Sequence, residues 1–521
     1  MRNNKGFTLI EILAVVVILG IVILISTNYV LKHVRSSRRD AFTTDVEQFI
    51  KSASYDSLVK DKMEEYVVYS FPNSGIDILP KDADAGFMIK DENEKIRIQV
   101  WHEELGLCAV KSFTDGKVYI NDSIKSKEDC ISFLYDIKDG EEISVKSLTN
   151  ENVDYKLKSS CYTLDSDGNI TNFDTNECGT VLIIPNKING EYVNGVAADF
   201  VTNAPNIFTS LYIFGVTNIA SIPNSFLSLN SSLNKAILYD LPNLTRIGTG
   251  FLSNNLNMTT FYLSNCPKLT TIDSFVGNSG SKSSLRYITL SNLPLLRDLN
   301  GAFSRSIPKK LVISDLDSLT SINNSSFNYL DGDSEIIISN NDNLQTIESS
   351  FDYSNIKKLE IYNNAKLTSI TNGSFANYSP NSYYIDELII HDNPEIIAIN
   401  NGSLSGLEFK TIKLYNMLKL KQINASAFSN NITAEIVDLS GLELEVFDFY
   451  AWSGAKIDKL ILPSTITSFN NGTAANLDNI VNDSIEFGGS DKCSLINLFR
   501  TSNGDGTYTY LVDKDKLPDC P

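Results

Sequence analysis

Residues 357–378 read KKLEIYNNAKLTSITNGSFANY, and this stretch decides the fold of most of the chain. Leu359-Glu-Ile361 alternates apolar and polar side chains, as a strand with one buried face does. Asn363 follows two residues later, where a short amide side chain can hydrogen-bond the backbone of a turn. Leu367-Thr-Ser-Ile370 comes next, and Phe375 lies five residues beyond it.

The unit recurs. The leucine, two residues, isoleucine mark returns as Leu244-Thr-Arg-Ile247, Leu269-Thr-Thr-Ile272, Leu319-Thr-Ser-Ile322, Leu344-Gln-Thr-Ile347 and Leu420-Lys-Gln-Ile423. With Ile222, Leu299, Ile399, Phe447 and Phe469 in the same place, successive marks stand 22 to 29 residues apart. Strands of the same kind precede them, among them Phe261-Tyr-Leu263, Ile288-Thr-Leu290, Ile336-Ile-Ile338 and Ile412-Lys-Leu414. Asn265, Asn292, Asp315, Asn340, Asp392 and Asn416 repeat the turn residue, and Phe226, Phe251, Phe303, Phe327, Phe351 and Phe428 repeat the phenylalanine. A period near 24 or 25 is the scale of a leucine-rich repeat, in which neighbouring coils bury one continuous core. The pattern resembles bacterial cell-surface leucine-rich-repeat proteins, also in its opening coil from Gly179 to Gly190. The resemblance implies a solenoid over residues 181–476 with a parallel sheet on one face, and phenylalanines stacked as a spine.

Between the core positions of each strand lie Tyr212, Phe214, Tyr239, Tyr262, Tyr287, Tyr362, His391 and Tyr415. Alternation directs them outward, so they form a candidate binding face, since tyrosine offers contact area with a polar tip at low entropic cost. Packing of these rings on one another along the ladder is the plainer alternative. The partner such a face would take is a protein or glycan of a host or cell surface.

The other end of the chain sets its location. Residues 1–25 read MRNNKGFTLIEILAVVVILGIVILI, with Arg2 and Lys5 before Gly6 and an apolar run from Phe7 interrupted only by Thr8, Glu11 and Gly20. A helix of that length crosses most of a bilayer core of about 30 Å. Glu11 is costly there, by roughly 2.5 to 3.5 kcal/mol, and a buried charge of this kind marks function and needs a partner. The segment resembles the prepilin signal of type IV pilins and pseudopilins. The resemblance implies cleavage between Gly6 and Phe7 by a prepilin peptidase, methylation of the new Phe7 amine, and pairing of Glu11 with a neighbouring pilin subunit's terminal amine during assembly. Before assembly the helix sits in membrane lipid with the bulk of the chain outside the cell. Lys32, His33, Arg35, Arg38 and Arg39 follow the apolar run, and this excess of positive charge, taken alone, favours the opposite orientation.

Phe42, Val46, Phe49 and Ile50 fall at helical spacing, so the pilin helix is expected over 7–65, with its membrane part at 7–25. Residues 66–180 alternate over Tyr66–Tyr69, Ile96–Trp101 and Lys117–Ile120, with Asp115-Gly116 as a turn, and read as a pilin-like head with an antiparallel sheet. The fold class is therefore α+β: leader 1–6, long helix, small antiparallel sheet, solenoid. The tail 477–521 either caps the solenoid or returns to the head.

The 521 residues carry a formal charge of −19, which becomes −21 when the two leader cations leave. So acidic a surface repels nucleic acid and suits an exported domain. Of seven cysteines, Cys108 with Cys130, Cys161 with Cys178 and Cys493 with Cys520 form natural pairs by proximity in an exported chain, which leaves Cys266 as a thiol. Asp165, Asp167 and Asn169 around Gly168 imitate half of a calcium loop, but the twelfth position holds Asn176, and a hairpin turn explains them as well. The three histidines, His33, His102 and His391, join no catalytic motif, and no cofactor is implied. An enzyme is not expected. The resemblances together imply a minor or tip pilin-like subunit displaying an adhesion or recognition domain, with a pseudopilin of a type II secretion or DNA-uptake apparatus as the alternative.

Overall fold

The computed structural model describes residues 9–59, 65–72, 76, 83–132, 136–198, 200, 206–272, 285–299, 303, 308–322, 327, 330, 334–348, 350–351, 354–370, 375, 383–399, 403–404, 406–423, 427–428 and 432–520, without the side chains of 9–12, 19–32, 35 and 59. The chain divides into two compact units, one of residues 1–134 with 142–156 and the other of 135–141 with 157–521.

In the first unit a helix, α1 (Leu9–Val59), lies against strands β1 (Val67–Phe71), β2 (Ala85–Lys90), β3 (Ile96–His102), β4 (Leu107–Lys111) and β5 (Tyr119–Ile120). The five strands pair in chain order, each antiparallel to the next. Phe42, Val46, Phe49 and Ala53 are buried on one stripe of α1 and share a core with Tyr69, Phe71, Met88, Ile98 and Val100. That stripe is the one expected from spacing, extended by one turn through Ala53. The helix is described as far as Val59, and residues 60–64, which would carry it to the expected end near 65, lie outside the described residues. Among the described residues no helix is long and apolar enough to cross a membrane. The expectations for Gly6, Phe7 and the Glu11 side chain lie outside those residues, as do most side chains of the expected membrane part.

Cys108 on β4 is joined to Cys130, 22 positions later in the sequence. Arg39 on α1 forks onto Asp122: Nη2 donates to Oδ2 at 2.8 Å, and Nη1 donates to Oδ1. Each charge stabilises the other, so the guanidinium is pushed up and the carboxyl held below the usual carboxylate range.

The second unit is built on one sheet of thirteen strands, from Val181–Ile184 through Ser210–Phe214 and Lys235–Tyr239 to Val481–Phe487, in chain order. Every neighbouring pair is parallel, as a solenoid with one strand per coil requires. The leucine, two residues, isoleucine marks form ladders of their own. Ser221–Ile222, Arg246–Ile247 and Thr271–Ile272 pair in parallel, as do Ser321–Ile322, Thr346–Ile347, Ser369–Ile370 and Ala398–Ile399. The expected spine is present: Phe303, Phe327, Phe351 and Phe375 stack with ring centroids 5.0 to 5.5 Å apart and planes within 13°. Phe226 stacks on Phe251, and Trp452 continues the stack from Phe428 at 4.4 Å.

The turn residues are chosen by backbone geometry. Asp240, Asn265, Asn292, Asp315, Asn340, Asn363, Asp392 and Asn416 all have φ between 51° and 57°, a left-handed conformation that Asn and Asp tolerate better than other side chains. Their side chains bond between coils: Asn265 Nδ2 donates to Asp240 Oδ1 at 2.8 Å, Asn292 Nδ2 to Asn265 Oδ1 at 2.7 Å, and Asn416 Nδ2 to Asp392 Oδ1 at 3.0 Å. The backbone-bonding role expected of them falls one residue later. Buried Asn341, Asn364 and Asn393 donate to the carbonyls of Ile313, Ile338 and Ile361 in the preceding coil.

Residues 157–180, expected in the head, belong to the repeat unit. The hairpin of Tyr162–Leu164 and Asn169–Phe173 carries the Cys161–Cys178 disulfide, and Phe173 packs on Phe208 at 5.9 Å. Tyr162 donates its hydroxyl to the Ile183 carbonyl in the first strand of the long sheet, at 2.6 Å. At the far end, Phe499 packs on Phe487 and Phe469, Lys516 Nζ donates to the Val481 carbonyl at 2.8 Å, and Cys493 is joined to Cys520. Cys266 remains a buried thiol, its acidity suppressed by burial.

Candidate functional site

The expected binding face divides in two. Tyr212, Phe214, Tyr239 and Tyr262 are buried, at 5% exposure or less, so they do not form an exposed row. The sequence holds the reason. Leu211-Tyr-Ile-Phe214 and Ala236-Ile-Leu-Tyr239 are uninterrupted apolar runs, the signature of strands buried on both faces. Phe214 and Tyr239 pack ring to ring at 4.8 Å.

Further along, the strands alternate in earnest. Ile356–Tyr362, Tyr383–His391 and Leu407–Tyr415 place charged or polar residues between buried ones, with Glu360 half-buried and Glu387, Glu408, Lys410 and Lys413 exposed. Here Tyr362, His391 and Tyr415 are half-buried, and parallel register sets them side by side. Tyr362 and His391 stack at 5.0 Å and His391 and Tyr415 at 4.6 Å, with planes within 4°. These separations are the strand spacing itself, so an in-register ring on each coil stacks without adjustment. Tyr287 is also half-buried, on the strand three places before that of Tyr362 in the sheet, with Lys309 Nζ 5.9 Å from its ring.

Charges frame the stack. His391 Nδ1 lies 2.6 Å from Asp392 Oδ2, and Nε2 lies 3.4 Å from Glu360 Oε1. The hydrogen bond from His391 holds Asp392 below the usual carboxylate range. Burial, then the nearby Asp392 and Glu360, push the Tyr415 phenol up. Lys358 Nζ is 3.2 Å from Glu360 Oε2, and Lys413 Nζ sits 5.2 Å from the Tyr415 ring. The arrangement presents flat π faces ringed by both signs of charge, which suits recognition of a polar surface.

The Asp165 loop is a turn. Asp165 Oδ1 accepts from the backbone N–H groups of Asp167 and Asn169, and both carboxylate oxygens accept from Asn169 Nδ2. Among the described residues no group of three or more His, Cys, Asp and Glu side chains is placed to hold a metal ion.

Comparison with known proteins agrees with both halves of the sequence. Residues 1–27 match the prokaryotic N-terminal methylation motif. Residues 299–393 and 380–491 match the BspA type leucine rich repeat region, in six copies. No curated protein matches the chain. Among solved structures, a leucine-rich repeat protein from Bacteroides ovatus is 15% identical, with 63% of this chain and 76% of that one covered and a TM-score of 0.30. The chain is a fusion of a prepilin-type N-terminal methylation motif with a BspA-type leucine-rich-repeat region.

Proposed function

We propose that the chain is a type IV pilin-like subunit, minor or at a filament tip, that displays its repeat region on the cell surface for adhesion or recognition. The observation that carries this reading is the joining of a prepilin motif at residues 1–27 to a repeat region matched over residues 299–491. In this reading prepilin peptidase cuts between Gly6 and Phe7, the apolar helix from Phe7 to Ile25 holds the protein in the membrane, and Glu11 pairs with the terminal amine of a neighbouring subunit. A repeat unit of this size crowds a filament if every subunit carries it, which favours sparse or terminal placement. The stack of Tyr362, His391 and Tyr415, with Tyr287 beyond it, is the binding face, and it takes a protein or glycan.

Filaments sheared from the native host provide the test. The reading expects this polypeptide among them, beginning at N-methylated Phe7, and expects Glu11→Ala to remove it from filaments while leaving it in the membrane. A polypeptide that keeps its first six residues overturns the filament role. Recovery only in membranes beside a secretion or uptake apparatus favours the pseudopilin alternative.

A further inference from the structure

Strands of the long sheet lengthen along the chain. They have five residues at Ser210–Phe214, Lys235–Tyr239, Thr260–Ser264, Tyr287–Ser291 and Lys310–Ser314, and nine at Tyr383–His391, Leu407–Tyr415 and Thr433–Gly441. The added residues lie at the upstream ends, away from the ring stack. Register sets Tyr384 beside Glu408, and two residues on, alternation puts Asp386, Lys410, Glu435 and Asp458 in a second row on the same side. A groove of about 660 Å³ lies over both rows.

The groove's own cations are committed. Lys410 Nζ donates to Asp386 Oδ2 at 2.7 Å, and Lys456 Nζ donates to the Asn479 carbonyl at 2.7 Å. Asp458 Oδ1 accepts from Asn482 Nδ2 at 2.9 Å. Glu408 and Glu435 are exposed and make no hydrogen bond or close ion pair among the described residues, although Glu435 lies near enough to Lys410 to help, after Asp386, to push its ammonium up. Glu435 and Asp458 stand in register on adjacent strands, where like charges repel. The groove therefore presents a phenol ring, a carboxylate beside it and a second carboxylate diagonal to the first, with net negative charge. A guanidinium fits this set better than an ammonium, because its planar fork pairs with carboxylates while its face stacks on a ring. Neutral sugars gain nothing from the unpaired charge, and acidic ones are repelled by it.

We propose that this groove docks an arginine side chain of a partner protein, stacked on Tyr384 and held by Glu408 and Glu435. The inference rests on the reading of the repeats as a recognition module, and it names the chemistry of the partner.

The test uses the full chain in non-ionic detergent and two fluorescent probes: an acetylated, amidated tetra-arginine peptide and the same peptide with citrulline. Anisotropy is expected to show binding of the first and roughly tenfold weaker binding of the second. Glu408→Gln with Glu435→Gln is expected to weaken the arginine peptide about tenfold, and Tyr384→Ser a few-fold. A control pair that removes the same charge from exposed sites elsewhere on the repeats, Asp342→Asn with Glu348→Gln, is expected to change it less than about twofold at 150 mM salt. Equal losses in the groove and control pairs would mean a diffuse acidic field and overturn the proposal. Equal binding of the citrulline peptide, displacement by a neutral oligosaccharide, or no binding of either peptide would also overturn it. Filament incorporation is read independently, so a failed groove with a correctly processed filament subunit counts against the groove alone.

Discussion

Asp240 is a carboxylate where most coils place an amide, and replacing it with asparagine should stabilise the protein at neutral pH. It holds φ 56° in the turn after Lys235–Tyr239, and its Oδ1 accepts the 2.8 Å hydrogen bond from Asn265. Burial pushes its carboxyl up from 3.8 to about 6, and the Asn265 bond offsets only part of this. Between about pH 4 and pH 6 the native state therefore binds more protons than the unfolded chain, so stability falls as pH rises through that window. The full loss persists above it. Linkage puts the loss at no more than about 3 kcal/mol, and partial access to water brings the expectation to about 1–3 kcal/mol. Asparagine keeps the shape, tolerates the left-handed turn and still accepts from Asn265 through its own Oδ1. Asp240→Asn should thus gain about 1–3 kcal/mol at pH 7 and close to nothing near pH 3.5. Urea denaturation at both pH values, with hydrogen exchange over Lys235–Tyr239 and Thr260–Ser264, reads the difference. A gain of equal size at both pH values, or a loss at pH 7, would refute the reasoning.

Phe327→Ala removes a fully buried ring from the middle of the spine and should destabilise by about 3–5 kcal/mol, with Phe327→Leu losing much less. Because repeats couple mainly to neighbours, hydrogen exchange should quicken first in the coils of Phe303 and Phe351. Opening the Cys493–Cys520 bridge with two serines frees a loop closed over 27 residues, at about 3–4 kcal/mol by chain entropy. Limited proteolysis should then cut the tail before the repeats, and unchanged protection would show that Phe499 and Lys516 hold it without the bridge.

The repeat was legible because its signal is redundant: one strand, one left-handed turn, one mark and one phenylalanine in each coil, each repeated under the same constraint. What the turn residue does was read less well. Asparagine fits several turn roles, and only the backbone angle shows that conformation selects it, while its neighbour Asn364 carries the buried bond to the preceding coil. Alternation from Tyr212 onward overstates the exposed face, because Tyr212, Phe214, Tyr239 and Tyr262 are buried. Charged residues between core positions, such as Glu360 and Lys413, mark where one face meets water, and the Leu211–Phe214 and Ala236–Tyr239 runs have none. The groove was invisible to a period-based reading, since it arises where strands outgrow the repeat and no motif records their length.

Two of the cations that follow the apolar run have partners in the fold. Positive charge beyond the apolar run argues against placing that side outside, if the cations act only as topological signals. Two of them have a different employment. Arg39 forks onto Asp122, and Arg38 Nη1 lies 3.9 Å from Glu104 Oε1, so both link α1 to loops of the five-stranded sheet. Arg39→Lys separates the two roles, because it keeps the charge and loses the bidentate geometry. If the arginine works through geometry, amide exchange over residues 41–45 of α1 should quicken in the lysine variant as much as in Asp122→Asn. Should Arg39→Lys exchange like the original while Asp122→Asn does not, charge alone would suffice and the fork would be incidental.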